Sequence, residues 1–314
     1  MDKKGFIHYL ESKNHATSTQ QCYLMNVNLF LKWVGKEDIQ ISKSDIVNYL
    51  DYLKNKRHQE NITRRNQIIA ISHYFNFLKI NDLIIANPAN LLKIRGAKKR
   101  KLTYIYTHEE LDRIYDNYYW LYVKNFDAGK IPKNQQNQSF LCRNRNFVIV
   151  GFLIYQGLVT TEINKLHLED IDLIKGTITL KSSKRLTKRT LALKPAQIGS
   201  LINYINHIRP QYFTYTQENE KLFVPLPPSG RKKTETQDIM YFKQIKNQIK
   251  TLDKNFIDFR QLRSSVITNW LKVEGLRKAQ YLAGHRHIHV TEAYLPNNLE
   301  NLTDDINKLH PFNF

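Results

Sequence analysis

Between an Asn87-Pro88 step and Thr107 the chain carries a nine-residue run, Lys93 to Lys101 (KIRGAKKRK), in which six residues are basic and Gly96 interrupts the middle. Charges packed that densely repel one another and glycine frees the backbone, so the run stays extended and cannot thread a core. A 314-residue chain divided there yields pieces of about 90 and 210 residues, each long enough to bury a core without covalent staples. We therefore expect a domain over residues 1–92, a linker over 93–104 and a second domain over 105–314.

Hydrophobic spacing says what each piece contains. In the first, Ser42 and Asp45 mark a helix start, after which Ile46, Tyr49, Leu50 and Leu53 recur at helical intervals. Ile68, Ile71, Phe75 and Leu78 repeat the pattern, and Cys22 to Val34 forms a further apolar-rich run. Three or four short helices are expected. The second piece opens on a capping box, Thr107 to Glu110, with Leu111 and Ile114 starting the apolar face. A buried helix is expected over Asn144 to Gly157 and a shorter one over Thr160 to Leu168. Gly176 then introduces Thr177 to Leu180, and Arg189 to Leu193 alternates likewise, which predicts a small antiparallel ribbon. Helices resume at Pro195, and Asp258 to Glu274 reads as a long amphipathic helix stopped by Gly275, with Leu262, Val266, Trp270 and Leu271 facing the core. The fold class is mainly α with a small antiparallel β-sheet, an α+β arrangement.

Charge narrows the partner. Lysine and arginine number 48 against 28 acidic residues, a formal net charge of +20. A compact fold carrying that surplus repels itself unless a polyanion neutralises part of it, so nucleic acid leads as the partner class. Along the linker, Lys93, Arg95, Lys98, Lys99, Arg100 and Lys101 are the residues expected to follow DNA phosphates; the plainer reading is a solvated loop. The two cysteines, Cys22 and Cys142, can form neither a disulfide framework nor a four-cysteine zinc site, which fits a reducing, cytoplasmic setting. No secretory signal opens the chain, and its longest apolar stretch, Phe147 to Tyr155, covers nine residues, far short of the roughly 20 that span a bilayer. No membrane partner is expected.

Phosphate-loop, dinucleotide and zinc-protease motifs are absent, as is any dense carboxylate cluster, so neither ATP, another cofactor nor a metal is expected. His285, His287 and His289 alternate in HRHIH, but no neighbouring Cys or carboxylate completes a tetrahedron, so zinc is not expected. RNA is disfavoured as the polyanion: no RNA-recognition signature appears, and the aromatic residues lie mostly on apolar helix faces.

The last third is more specific. Arg260 and Arg263 stand one helical turn apart, so two guanidinium forks share a face and can grip one phosphate. Ala283-Gly284-His285 follows 22 residues after Arg263, and Tyr294 follows nine residues after that. A tyrosine at such a place is by default a core or surface residue, and the charged stretch of Lys184, Arg185, Lys188 and Arg189 is by default an ordinary hairpin.

In this order the chain resembles the tyrosine site-specific recombinases, the phage integrase family. That family's HxLRH, LGH and terminal tyrosine correspond here to Arg260-Gln261-Leu262-Arg263-Ser264, Leu282-Ala283-Gly284-His285 and Tyr294. Tyr155 to Ile163 (YQGLVTTEI) resembles its YxTGLRxSEL junction, and Lys184 to Leu193 looks like its lysine-bearing hairpin ending in RxVPL. Two positions depart from the pattern. Val159 stands where the family's first arginine belongs, and Arg260 replaces the histidine of HxxR. Arg145 cannot replace the first loss from its own helix, because 14 residues at about 1.5 Å each put it roughly 20 Å away.

The resemblance implies a SAM-like helical core-binding domain joined to a recombinase catalytic domain, acting on double-stranded DNA with inverted-repeat half-sites as a homo-tetramer, with accessory recombination factors as further partners. It implies Tyr294 as nucleophile, Arg263 as phosphate clamp, His285 as phosphate or proton-handling partner and Lys184 as general acid, with Lys181 the fallback. We expect Arg260 to supply the guanidinium lost at Val159. The apolar spacing of Leu299, Leu302, Ile306 and Leu309 suggests a tail helix that docks on a neighbouring protomer or on its own domain. Helices begin almost at residue 1, which leaves no room for an arm-binding domain. The implied activity is strand cleavage and rejoining through a 3′-phosphotyrosyl bond, for integration, inversion or resolution of a mobile element. The competing reading is a DNA-binding relative with an impaired site, serving an accessory or regulatory role.

Overall fold

The computed structural model describes residues 1–96, 103–125, 127, 129, 131–184, 186–226 and 237–295, with the side chains of 237–240 excepted. The chain forms two compact units, residues 1–101 and 102–314.

The first unit holds α1 (Lys3–Ser12), α2 (Thr17–Val34), α3 (Lys43–Asn55) and α4 (Asn61–Ile80), the upper end of the expected count. The Ser42–Asp45 capping box forms as the sequence suggests, with Asp45 also bonded to Lys36 Nζ at 2.6 Å. Those two contacts hold the Asp45 carboxyl down at about 2, Lys36 contributing most. Ile46, Tyr49, Leu50 and Leu53 are buried against Ile68, Ile71, Phe75 and Leu78, around Phe6, Val27 and Phe30. The side-chain amide of Asn61, the first residue of α4, donates to the carbonyls of Arg95 and Gly96 at 3.0 and 3.2 Å, fastening the start of the basic run to this unit. Lys93 and Arg95 are exposed. Lys98, Lys99, Arg100 and Lys101 lie outside the described residues, as does the tail with Leu299, Leu302, Ile306 and Leu309.

The second unit begins with α5 (His108–Tyr119), whose Thr107–Glu110 capping box forms in full. The next helix, α6 (Lys133–Tyr155), starts eleven residues before the expected Asn144, because its polar first half carries no apolar stripe to announce it. Its second half, Arg145 to Ile154, is buried throughout, so it runs through the middle of the core rather than along an edge. α7 (Thr160–Ile163) is shorter than expected, giving way to a 3-10 turn at Leu168–Asp170. The ribbon β2 (Thr177–Leu180) and β3 (Arg189–Ala192) is antiparallel as the alternation predicts, and a two-residue strand β1 (Ile171–Asp172), too short to leave a pattern, completes a sheet of order β1-β2-β3. Ile178, Leu180 and Leu191 point from it into the core.

After α8 (Pro195–Asn203), α9 (Arg209–Tyr212) and α10 (Gln237–Leu252) come α11 (Phe259–Ala283) and α12 (Ile288–Glu292). α11 starts at Asp258, whose carboxylate accepts from the backbone of Arg260 and Gln261, and it is kinked at Gly275, whose φ of 74° is non-helical. The expected stop at Gly275 is therefore a break after which helical backbone resumes. Leu262 and Val266 enter the core, Trp270 packs against its edge and Leu271 is half-buried. Among the described residues no helix is long and apolar enough to cross a membrane.

Candidate active site

α11 positions the first component. Arg263 points inward from its first turns and is 7% exposed. Its Nη1 donates to the Gly157 carbonyl at 2.6 Å and its Nη2 to the Ala283 carbonyl at 2.7 Å. Gly157 follows the C-terminus of α6, and Ala283 ends α11, so one guanidinium ties two helix ends together. Gly157 has φ 56°, and a Cβ there would press on Val266 at 3.1 Å, so glycine lets α6 end this close to α11.

The second component sits beyond α11. Gly284, with φ 71°, is its left-handed C-cap and turns the chain so that His285 enters the same pocket, where it too is 7% exposed. His285 Nε2 lies 3.4 Å from Arg263 Nη2, and Nδ1 lies 2.9 Å from the Thr291 hydroxyl. Burial, then the positive charges of Arg263 and Arg189, pulls the imidazole down to about 4, so it is neutral near pH 7. Because Arg263 can only donate, Nε2 is the acceptor and Nδ1 carries the proton that faces Thr291.

Tyr294 closes the arrangement. Its ring stacks on the His285 imidazole with centroids 5.8 Å apart and planes at 15°. It is half-buried rather than sealed in the core, and its phenol favours the charged form of the Arg263 guanidinium. Burial lowers the affinity of Arg263 for its proton; Glu162 and Tyr294 oppose that, while Arg189 adds to it.

The other expected residues fall differently. Arg260 does not share the inward face of Arg263: its side chain is 93% exposed and paired with Asp258 at 2.7 Å. The reason is that Arg263 is drawn under the helix by the two carbonyls, while Arg260 at the helix start folds back on its cap residue. Lys184 is exposed in the turn between β2 and β3. Lys181 pairs with Glu169 at 2.6 Å and Asp170 at 3.6 Å, and that pairing raises its pKa, Glu169 acting most. His287 and His289 stack on each other. Arg145 donates to the Val224 carbonyl at 3.1 Å and lies over the Tyr241 ring. Val159 caps α7, its N–H donating to Glu162 Oε2 at 3.1 Å.

Arg189 is the residue that sequence reasoning misplaced. It does not belong to a solvated hairpin: its side chain is fully buried and pairs with Glu162, Nη1 to Oε1 at 2.7 Å and Nη2 to Oε2 at 3.2 Å. A signal was available, since the two-residue period of β3 puts position 189 on the same inward side as Leu191.

Guanidinium, neutral imidazole and phenol thus meet at one half-open point. Comparison with known proteins fits this geometry. Residues 122–301 match the phage integrase family model, and residues 4–84 match the N-terminal SAM-like domain of phage integrases. The chain is 24% identical over 307 residues to TnP I resolvase of Bacillus thuringiensis, covering 95% of this chain and 96% of that one. It is 25% identical over 304 residues to a tyrosine recombinase of Thermosipho africanus, covering 94% and 95%. In fold it resembles XerH site-specific recombinase bound to palindromic difH substrate in a post-cleavage complex, with TM-score 0.65, 18% identity and coverage of 95% and 82%. It also resembles a lambda integrase dimer bound to a COC' core site, with TM-score 0.58, 15% identity and coverage of 93% of each chain. This chain belongs to the phage integrase family, the tyrosine recombinases.

Proposed function

We propose that the chain cuts and rejoins DNA at a specific site through a phosphotyrosyl bond on Tyr294. The observation that carries this is the half-exposed Tyr294 ring stacked on a neutral His285 that itself lies 3.4 Å from Arg263 Nη2. Arg263 supplies fixed positive charge where the attacked phosphate gains negative charge. The phenolic oxygen forms a bond to phosphorus and the bond to the 5′-oxygen breaks. The phenolic proton passes to water, and His285, whose Nε2 accepts from Arg263, is assigned as the phosphate partner that holds this guanidinium in place. Lys184, exposed and, among the described residues, without an acidic partner of the kind Lys181 has, is the donor we assign to the departing 5′-oxygen. The energy of the phosphodiester stays in the phosphotyrosyl link, so a second 5′-hydroxyl can reseal the strand.

Arg260, exposed beside the mouth of the helix, is the group we assign to contact the phosphate from the solvent side in place of an arginine at Val159. Release of its Asp258 pair on meeting DNA frees the guanidinium. Lys93, Arg95, Lys98, Lys99, Arg100 and Lys101 are assigned to backbone phosphates of double-stranded DNA with inverted-repeat half-sites. Assembly as a tetramer is supported by the lambda integrase tetramer bound to a Holliday junction, a structural relative with TM-score 0.57. Accessory recombination factors belong to the same reading.

A nicked suicide substrate tests it, because loss of the small fragment after cleavage traps the protein on DNA. The wild-type chain should give a covalent complex and Tyr294→Phe none. DNA binding without any covalent product from the wild type would favour the accessory DNA-binding role.

A further inference from the structure

The turn that bears Lys184 is held on both sides. Ser183 N donates to the Leu186 carbonyl at 2.8 Å and closes the turn. On one side the Arg286 guanidinium donates to the Ser183 carbonyl at 2.7 Å. On the other, Leu186 bridges His285, and Thr187 N donates to the Gly284 carbonyl at 2.9 Å. The contacts on both sides of the turn run to the Gly284–His285–Arg286 segment.

Beneath them lies Arg189. Its Nε donates to the Leu282 carbonyl at 2.9 Å while its two Nη atoms hold Glu162. A Cβ on Gly284 would come within 2.5 Å of Arg189 Nη1, so the glycine at the turn is also what lets the guanidinium pass under it. A fully buried ion pair removes two charges from water at considerable cost, and it earns little net stability compared with an apolar pair of the same shape. What it does provide is a fixed geometry, since a planar fork bonded to two carboxylate oxygens and a carbonyl has one orientation.

We propose that the buried Arg189–Glu162 pair is a positioning element for departure of the 5′-oxygen: it locks the turn carrying Lys184 to the turn carrying His285, so that proton donor and nucleophile face the same phosphate. In this role Arg189 acts through the two turns it holds, bonded to Glu162 and the Leu282 carbonyl, and not on the phosphate itself. The inference rests on the assignment of Lys184 as general acid. It extends to Arg286 as the outer strut of the same lock.

A sulfur-bridged substrate separates the possibilities. A 5′-bridging phosphorothiolate leaves as a thiolate and needs no proton, so a variant defective only in protonating the leaving group is slow on the oxygen substrate and regains speed on sulfur. Arg189→Met combined with Glu162→Gln removes both charges and orphans neither, which keeps the core free of an unpaired carboxylate. We expect this double variant to form covalent complex about 100-fold more slowly than wild type on the oxygen substrate and at near wild-type speed on sulfur, as Lys184→Ala should. Arg189→Lys, which keeps the charge but not the three-point hold, should fall between. The inference is overturned if the double variant matches wild type on oxygen. It is equally overturned if the variant is slow on both substrates while Lys184→Ala is rescued. If Lys184→Ala itself gains nothing from sulfur, the general-acid assignment fails and takes this inference with it, while Tyr294 as nucleophile is judged separately by Tyr294→Phe.

Discussion

The His285 imidazole and the Tyr294 phenol lie nearly parallel, planes 15° apart, with Arg263 Nη2 3.4 Å from the imidazole Nε2. Burial and two neighbouring guanidiniums keep the imidazole neutral, which leaves its Nε2 lone pair to accept from Arg263. The same arrangement sets how the protein responds to pH, mutation and salt.

The pH dependence has a definite sign. The folded His285 value of about 4 lies below the ordinary value of roughly 6.5, so as pH falls the unfolded chain takes up this proton first. Stability from His285 is fully present above about pH 6.5 and is lost progressively down to about pH 4, an effect on the order of 3 kcal/mol. Urea unfolding of wild type and His285→Gln at pH 7.5 and 4.5 measures it. Wild type should lose more over that window than the variant does; equal losses would mean the imidazole is not held neutral.

Arg263→Lys should slow covalent-complex formation about 100- to 1000-fold, the usual cost of one preorganised donor. A lysine ammonium lacks the planar fork that bonds the Gly157 and Ala283 carbonyls and still leaves donors for a phosphate. Single-turnover cleavage at saturating protein is the measurement, with near wild-type speed as the contrary outcome.

Arg260→Ala should leave stability almost untouched, within about 0.5 kcal/mol, because its ion pair with Asp258 is exposed and screened. Cleavage should nevertheless fall about 100-fold if Arg260 replaces the missing arginine at Val159. Thermal unfolding and suicide-substrate cleavage on the same preparation give both numbers. Full cleavage activity in a stable variant would remove Arg260 from the site.

Replacing Lys93 and Arg95 by alanine should weaken DNA binding similarly on every sequence and make it less sensitive to salt. For two lost phosphate contacts the slope of log affinity against log salt should fall by about 2. Fluorescence anisotropy over a salt series reads the slope, and an unchanged slope would assign the pair to solvent.

Much of this molecule can be read from the chain because its signals are local. Capping boxes at Ser42 and Thr107, the stripe along α4 and the left-handed glycine before His285 each depend on residues a few positions apart. Early strand β1 and the first half of α6 escape notice because one is two residues long and the other has no apolar periodicity. The site is legible only in part for a different reason. Motif order identifies Arg263, His285 and Tyr294, but whether a guanidinium faces solvent or the interior depends on distant partners. Arg263 is drawn inward by carbonyls at Gly157 and Ala283, and Arg189 by Glu162, 27 residues away in sequence. Arg260, lacking such partners, stays outside.

The central claim is chemical, that the Tyr294 oxygen becomes joined to a DNA 3′-phosphate. Digesting the trapped protein–DNA complex with trypsin and a nuclease, then sequencing the adduct by mass spectrometry, tests it directly. The account predicts a nucleotide phosphate on the peptide that contains Tyr294, and on that tyrosine. A phosphate found on any other residue, or a trapped complex still formed by Tyr294→Phe, would contradict it.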